Sequence, residues 1–195
     1  MRAMTLPVPP DHLPYTGDPE ADALLAAGPA ALLIGFVLDH QVPLQKAFSG
    51  PLELRRRLGT LDPAALAAMD PERFEAAFRE RPALHRFPGN MARRTQELCA
   101  VLARDYGGDT SLVWREATDG RDLHARLIAL PGIGEMKAGT LVAILGRRFG
   151  IAVPGWEAVA PSTPTLADVD SPESLAAYQA GKREAKARLR EQGGA

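Results

Sequence analysis

A chain of 195 residues has the size of one domain, and its 46% hydrophobic content suffices for a core and excludes global disorder. Lys and Arg number 23 against 24 Asp and Glu, a net charge of −1. That balance excludes any mechanism resting on a strongly positive overall field; a polyanion would have to be held by a local patch or by backbone N–H groups. The single cysteine, Cys99, excludes an internal disulfide and a four-cysteine iron–sulfur cluster, and reads as a small buried apolar residue on a helix. The first ten residues are too proline-rich for a signal peptide, and the longest apolar run, 30–38, is too short to span a bilayer. The chain is therefore expected to be cytoplasmic, with no membrane partner.

The pattern is helical throughout. Asp18-Pro19, Asp62-Pro63, Asp70-Pro71 and Ser171-Pro172 are helix starts, with an oxygen side chain as N-cap and proline at the first helical position. Gly50-Pro51 is a weaker start of the same kind, and Gly28, Gly59 and Gly107 fit helix ends. The predicted helices cover 19–27, 30–41, 51–58, 63–69, 71–80, 90–106, 121–130, 135–148 and 172–190. No stretch alternates apolar and polar residues for long, so no sheet is expected and the fold class is all-α. Residues 149–170, rich in proline and small side chains, read as a long loop with at most a turn of helix.

Two helices stand out. Residues 30–38 are apolar on every side, which predicts burial all round, and the run ends in Asp39-His40-Gln41, three hydrogen-bonding side chains at the mouth of a buried helix. That is either the edge of a cleft or a solvated helix end. The last helix carries Leu175, Tyr178, Ala185 and Leu189 on one face, with Lys182, Arg183, Lys186, Arg188 and Arg190 crowding the rest. It reads as a packed, solvated terminal helix in preference to a DNA contact.

The most specific signal is Leu130-Pro131-Gly132-Ile133-Gly134, set between two helical apolar stripes. Glycines there permit a tight hairpin and leave no Cβ to keep a phosphate from the backbone. The second helix then aims its free N–H groups and positive dipole end at that phosphate. Such a site grips duplex DNA without reading sequence, and needs little net charge. Lys137 and the pair Arg147-Arg148 are candidates to add charge nearby. The alternative is a helix–turn–helix connection with glycine for packing only.

The hairpin resembles that of the helix-hairpin-helix base-excision DNA glycosylases, the superfamily of endonuclease III and 3-methyladenine glycosylase. The resemblance extends to the early buried helix ending at Gln41, to the 89–108 stretch, and to 121–149, about residues 30–153 in all. It implies a two-lobed all-α fold, with one lobe from about 18–29 plus 138–195, the other from about 30–137, and residues 1–15 flexible. It implies a monomer on double-stranded DNA, nucleoid-associated. The expected cofactor is none: the family's iron–sulfur cysteines are absent, with room only for a monovalent cation at the hairpin.

The mechanism so implied extrudes a damaged or deaminated base from the duplex and hydrolyses its N-glycosidic bond. Gln41, Pro131, Gly132, Ile133, Gly134 and Lys137 are the expected DNA contacts, with Gln41 filling the gap. His40, Met136 and Trp156 are the expected base pocket, although Trp156 also reads as a core residue. The chain departs from the family at the catalytic positions. Met136 stands where lyase members carry lysine, so no Schiff base is expected there, and Lys137 is turned about 100° further round the helix. The family aspartate falls on Pro154, Gly155 or Trp156. Glu157, the nearest carboxylate, is the first candidate to replace it, and otherwise caps a short helix. Asp39 is the second, and Lys137 completes the catalytic candidates. His12, His85 and His124 read as surface or packing residues. Two rivals to a glycosylase without lyase activity stay open: a non-catalytic DNA-binding module, and an interaction protein with a decayed hairpin.

Overall fold

In a computed structural model, which describes residues 10–192, the chain is all-α, with no strand among the described residues. The element least able to meet water sets the centre. Helix α2 (Pro29–Leu38) has all of Ala31 to Leu38 buried, as its composition demands. Each large apolar side chain so buried contributes roughly 1.5–3 kcal/mol. Around α2 lie α1 (Pro19–Ala27), α3 (Leu44–Leu58) and α6 (Pro88–Tyr106). Two glycines bring α3 onto α2: a Cβ on Gly35 would lie 2.7 Å from the Phe48 ring, and one on Gly50 would strike Leu38. Phe48 then meets Phe36 and Tyr15 edge-on, at ring separations of 5.2 and 5.3 Å.

Helices α4 (Pro63–Ala67) and α5 (Pro71–Arg79) pack on α6. The short α7 (Leu112–Arg115) leads to α8 (Gly120–Ile128), which pairs with α9 (Glu135–Arg147). Two 3-10 turns, Trp156–Ala158 and Leu166–Asp168, return the chain along α9 to α10 (Pro172–Gln192). Buried residues from Leu13 to Leu175 form one apolar cluster. No single helix among the described residues is long and apolar enough to cross a membrane.

The caps form as expected. Asp18, Asp62 and Asp70 accept from the N–H of Glu20, Ala65 and Arg73 at 2.8–2.9 Å, and Ser171 Oγ accepts from Ser174 N–H at 3.1 Å. Gly59 and Gly107 end α3 and α6 in the left-handed region. Cys99 is buried on α6, and burial pushes its thiol up to about 12.

Several expectations are corrected. Helix α3 begins at Leu44 and runs through Pro51, where a new start was expected; Gly50 and Pro51 are buried, and packing on α2 outweighs the hydrogen bond that proline cannot donate. Helix α2 stops at Leu38, three residues early, because His40 N–H turns back to the Leu38 carbonyl and Gln41 adopts φ 55°. The flexible start expected through residue 15 falls partly on residues 1–9, outside the described residues. Within them, Leu13, Pro14 and Tyr15 are buried: Asp22 accepts from the Tyr15 and Thr16 N–H groups, and the Tyr15 hydroxyl donates to the Leu166 carbonyl at 2.8 Å. Helix α7 was not foreseen, since four residues are too few to show a period. Helix α10 packs through Leu175, but every residue from Gly181 to Glu191 is exposed, so Ala185 and Leu189 form no buried stripe.

Candidate functional site

The turn between α8 and α9 is held from beneath and open above. Leu130 and Ile133 are buried, pinning the loop to the core, while Pro131 and Gly132 are half-buried. Gly132 has φ 82°, which disfavours any side chain, and a Cβ there would lie 3.0 Å from Arg94 Cδ and 3.1 Å from Val37. The hairpin therefore rests on the end of α2 and on Arg94 of α6. Gly134 is different. Its backbone is extended, it is exposed, and a Cβ on it would meet nothing within 4 Å. Neither backbone strain nor packing requires glycine at the N-cap of α9, where Ser, Asp or Asn would cap better.

Beneath the hairpin the structure gathers charge. Asp39, the C-cap of α2, is half-buried, and desolvation holds its carboxyl above the usual carboxylate range; the charges of Lys137, Lys182 and His40 act in the opposite direction. Lys137 is also half-buried, and its Nζ donates to the Gly132 carbonyl at 3.3 Å. Desolvation lowers its pKa, Asp39 counters that, and Arg94 adds to it. Lys137 thus turns back over the hairpin, within electrostatic reach of Asp39, whereas Met136 is 85% exposed. The two side chains make no direct ion pair; they act on each other through space.

The loop after Asp39 is fixed by a buried histidine. His85 Nδ1 accepts from Phe87 N–H at 3.0 Å, which leaves Nε2 to carry the proton it donates to the His40 carbonyl at 2.9 Å. Both bonds are those of the neutral ring, and burial lowers the His85 pKa. Gln41, next along, is exposed with φ 55°, the one non-glycine residue at positive φ among the described residues. Such a conformation costs on the order of 1–3 kcal/mol and persists only where its surroundings hold it. His40 is exposed.

The other candidates lie elsewhere. Trp156 is half-buried, and its ring covers Gly146 at the far end of α9, about 14 Å along the helix from Lys137. Glu157 is exposed, makes no side-chain hydrogen bond or ion pair among the described residues, and sits in the first turn of the 3-10 helix Trp156–Ala158. Residues 156–157 therefore do not meet 39–41 and 136–137. Arg147, expected to lend charge to the hairpin, instead pairs with Asp168 at 2.6 Å near that same far end.

Met136 does line a groove, of about 750 Å³, between the first turns of α9, the loop 161–169 and α10. Lys182 lines it too, and so connects the groove to Asp39. Arg94, His85 and Lys182 are the site residues that sequence reasoning missed. Arg94 belongs to a stretch noted only for its resemblance, and no spacing in the sequence tells a cation that meets a distant turn from one that meets water. No group of His, Cys, Asp or Glu suited to a metal ion occurs among the described residues. Comparison of the chain with protein-family models, with curated proteins and with solved structures finds no match in any of the three.

Proposed function

We propose that the chain binds duplex DNA through the hairpin 130–137, in a two-lobed helix-hairpin-helix fold, and excises a damaged or deaminated base without cleaving the strand. The observation that carries this reading is a half-buried ammonium, Lys137, folded back onto the Gly132 carbonyl within electrostatic reach of the half-buried carboxylate of Asp39, beside a turn whose exposed Gly134 has no internal reason to be glycine. The N–H groups of the first turn of α9, unobstructed at Gly134, would take a phosphate. Gln41, held out of the helical region at the rim, would enter the stack, and the groove lined by Met136 would receive the extruded base.

In that pose the bond between sugar C1′ and base nitrogen breaks, water oxygen bonds to C1′, and the proton that water gives up passes to Asp39 and from Asp39 to the departing base nitrogen, which restores the carboxylate. Asp39 replaces Glu157 as the preferred carboxylate, because desolvation raises its proton affinity while Lys137 keeps the ionised form within reach. Duplexes each carrying one lesion test the reading. At least one should yield abasic sites with the parent protein and not with Asp39→Asn. No lesion cleaved by the parent would overturn excision. Borohydride should trap no covalent adduct; a trapped adduct lost in Lys137→Ala would show a lyase nucleophile one residue past the expected position.

A specific observation favours the second reading, a non-catalytic duplex-binding module: Glu157 and Trp156 stand apart from the hairpin, so the position of the family's aspartate contributes no acid. Duplex binding with no excision of any lesion would establish it.

A further inference from the structure

The charges of this molecule are unevenly spent. Of the described arginines before α10, eight pair with a carboxylate, at 2.5–3.7 Å, and seven, scattered along the chain, do not. In the exposed half of α10, residues 182–191, the five cations Lys182, Arg183, Lys186, Arg188 and Arg190 form no ion pair among the described residues, and two carboxylates, Glu184 and Glu191, accompany them. This one segment carries a surplus of three positive charges in a chain whose total is −1, so the remainder carries −4.

The surplus is also ordered. At 100° per residue, Lys182, Arg183, Lys186 and Arg190 share a face about 100° wide, and Glu184, Glu191 and Arg188 lie on the opposite side. From Lys182 to Arg190 the stripe runs about 12 Å. Its starting point is fixed. Leu175 is buried, the Gln179 amide donates to Gln45 at 3.1 Å, and Lys182 both lines the groove beside Met136 and acts on Asp39. Beyond that point every side chain through Glu191 is exposed, and Leu189 is 69% exposed with nothing packed on it.

We infer that the exposed half of α10 is a phosphate-binding arm that lies along one strand of the duplex held at the hairpin. The inference rests on the proposed DNA-binding reading. Because a strand winds round the axis, its successive phosphates lie farther apart than their axial rise of about 3.4 Å, so a 12 Å stripe reaches two to three phosphates, all within range of its four cations. An acidic body explains why such an arm is needed: without it the −4 remainder would repel the duplex that the hairpin grips. Arm and hairpin divide the work, the hairpin fixing one phosphate by backbone N–H groups and the arm supplying salt-sensitive attraction along the strand.

The test is the salt dependence of binding to an undamaged duplex by the full chain. The triple variant Arg183→Gln, Lys186→Gln, Arg190→Gln alters only exposed side chains and keeps good helix formers. It should flatten the slope of log K against log salt by up to about 2.7, at about 0.9 per phosphate contact. Arg188→Gln, on the opposite side, should leave the slope as in the parent. An unchanged slope in the triple variant, or an equal loss per residue in Arg188→Gln, overturns the arm. Gly134→Asp separates the two ideas. If it abolishes binding while the triple variant behaves as the parent, the hairpin reading stands and the arm falls; if it binds as the parent does, the hairpin reading falls. Tighter binding to vesicles rich in phosphatidylserine than to duplex, lost in the triple variant, would assign the stripe to a membrane surface and overturn the inference.

Discussion

The two ends of α9 each carry a glycine, and the reasons are opposite. At the C-terminal end Gly146 is closed in: a Cβ there would lie 2.7 Å from the Trp156 ring. At the N-terminal end Gly134 is free of contacts, at an extended φ open to any residue. Gly146 is therefore explained by the chain's own packing, and Gly134 is not. The charges follow the same division. Arg147, near the closed end, is neutralised by Asp168, while at the open end Lys137 and Asp39 are half-buried without a direct ion pair. A residue that its own fold does not require points to something outside the fold.

Paired substitutions at the two ends sharpen this contrast. The largest expected effect is on excision: Asp39→Asn should lower it by about 10²–10⁴, the range for loss of a positioned acid or base, while Glu157→Gln leaves it at the parent rate. A deep loss in Glu157→Gln, read in single-turnover assays, would reverse the assignment of the two ends. Next comes stability. Gly146→Val forces a branched side chain into the Trp156 ring and should cost about 1–3 kcal/mol in urea unfolding. An unchanged midpoint would mean that Trp156 yields freely and that this end is not closed.

The mirror experiment is Gly134→Asp. A carboxylate at the phosphate's place should weaken duplex binding at least about tenfold, or about 1.4 kcal/mol. The same residue is a better N-cap than glycine, so the melting temperature should hold or rise slightly. A fall in both would make Gly134 a packing residue like Gly146.

The smallest effect tests what fixes the open end. His85 is neutral in the fold and its pKa lies below the ordinary 6.5. Below pH 6.5 the unfolded chain binds the proton more readily, so stability falls as pH drops from there toward the folded value. His85→Gln keeps a donor for the His40 carbonyl but removes the titration, so its melting temperature should change less between pH 7.5 and 5.5 than the parent's does. Equal changes would place the acid sensitivity elsewhere.

Sequence by itself determined what neighbouring residues settle among themselves. The Asp-Pro starts bond to N–H groups two or three residues on, so α1, α4 and α5 were legible to within a residue or two. The burial of α2 followed from nine consecutive apolar residues, and the turn at Gly132 from glycine's tolerance of positive φ. Tertiary structure decided everything that joins distant residues. Glu157 was preferred over Asp39 for its place in the sequence, yet only the packing of α2 against the α8–α9 turn partly desolvates Asp39 and brings Lys137 within its electrostatic reach. Pro51 read as a helix start until the fit of α3 on α2 ran the helix through it. Lys182 and Arg94 looked like any surface cations. Local patterns record hydrogen bonds closed within a few residues, whereas desolvation and Coulomb interaction depend on which elements fold against each other, and no local pattern carries that.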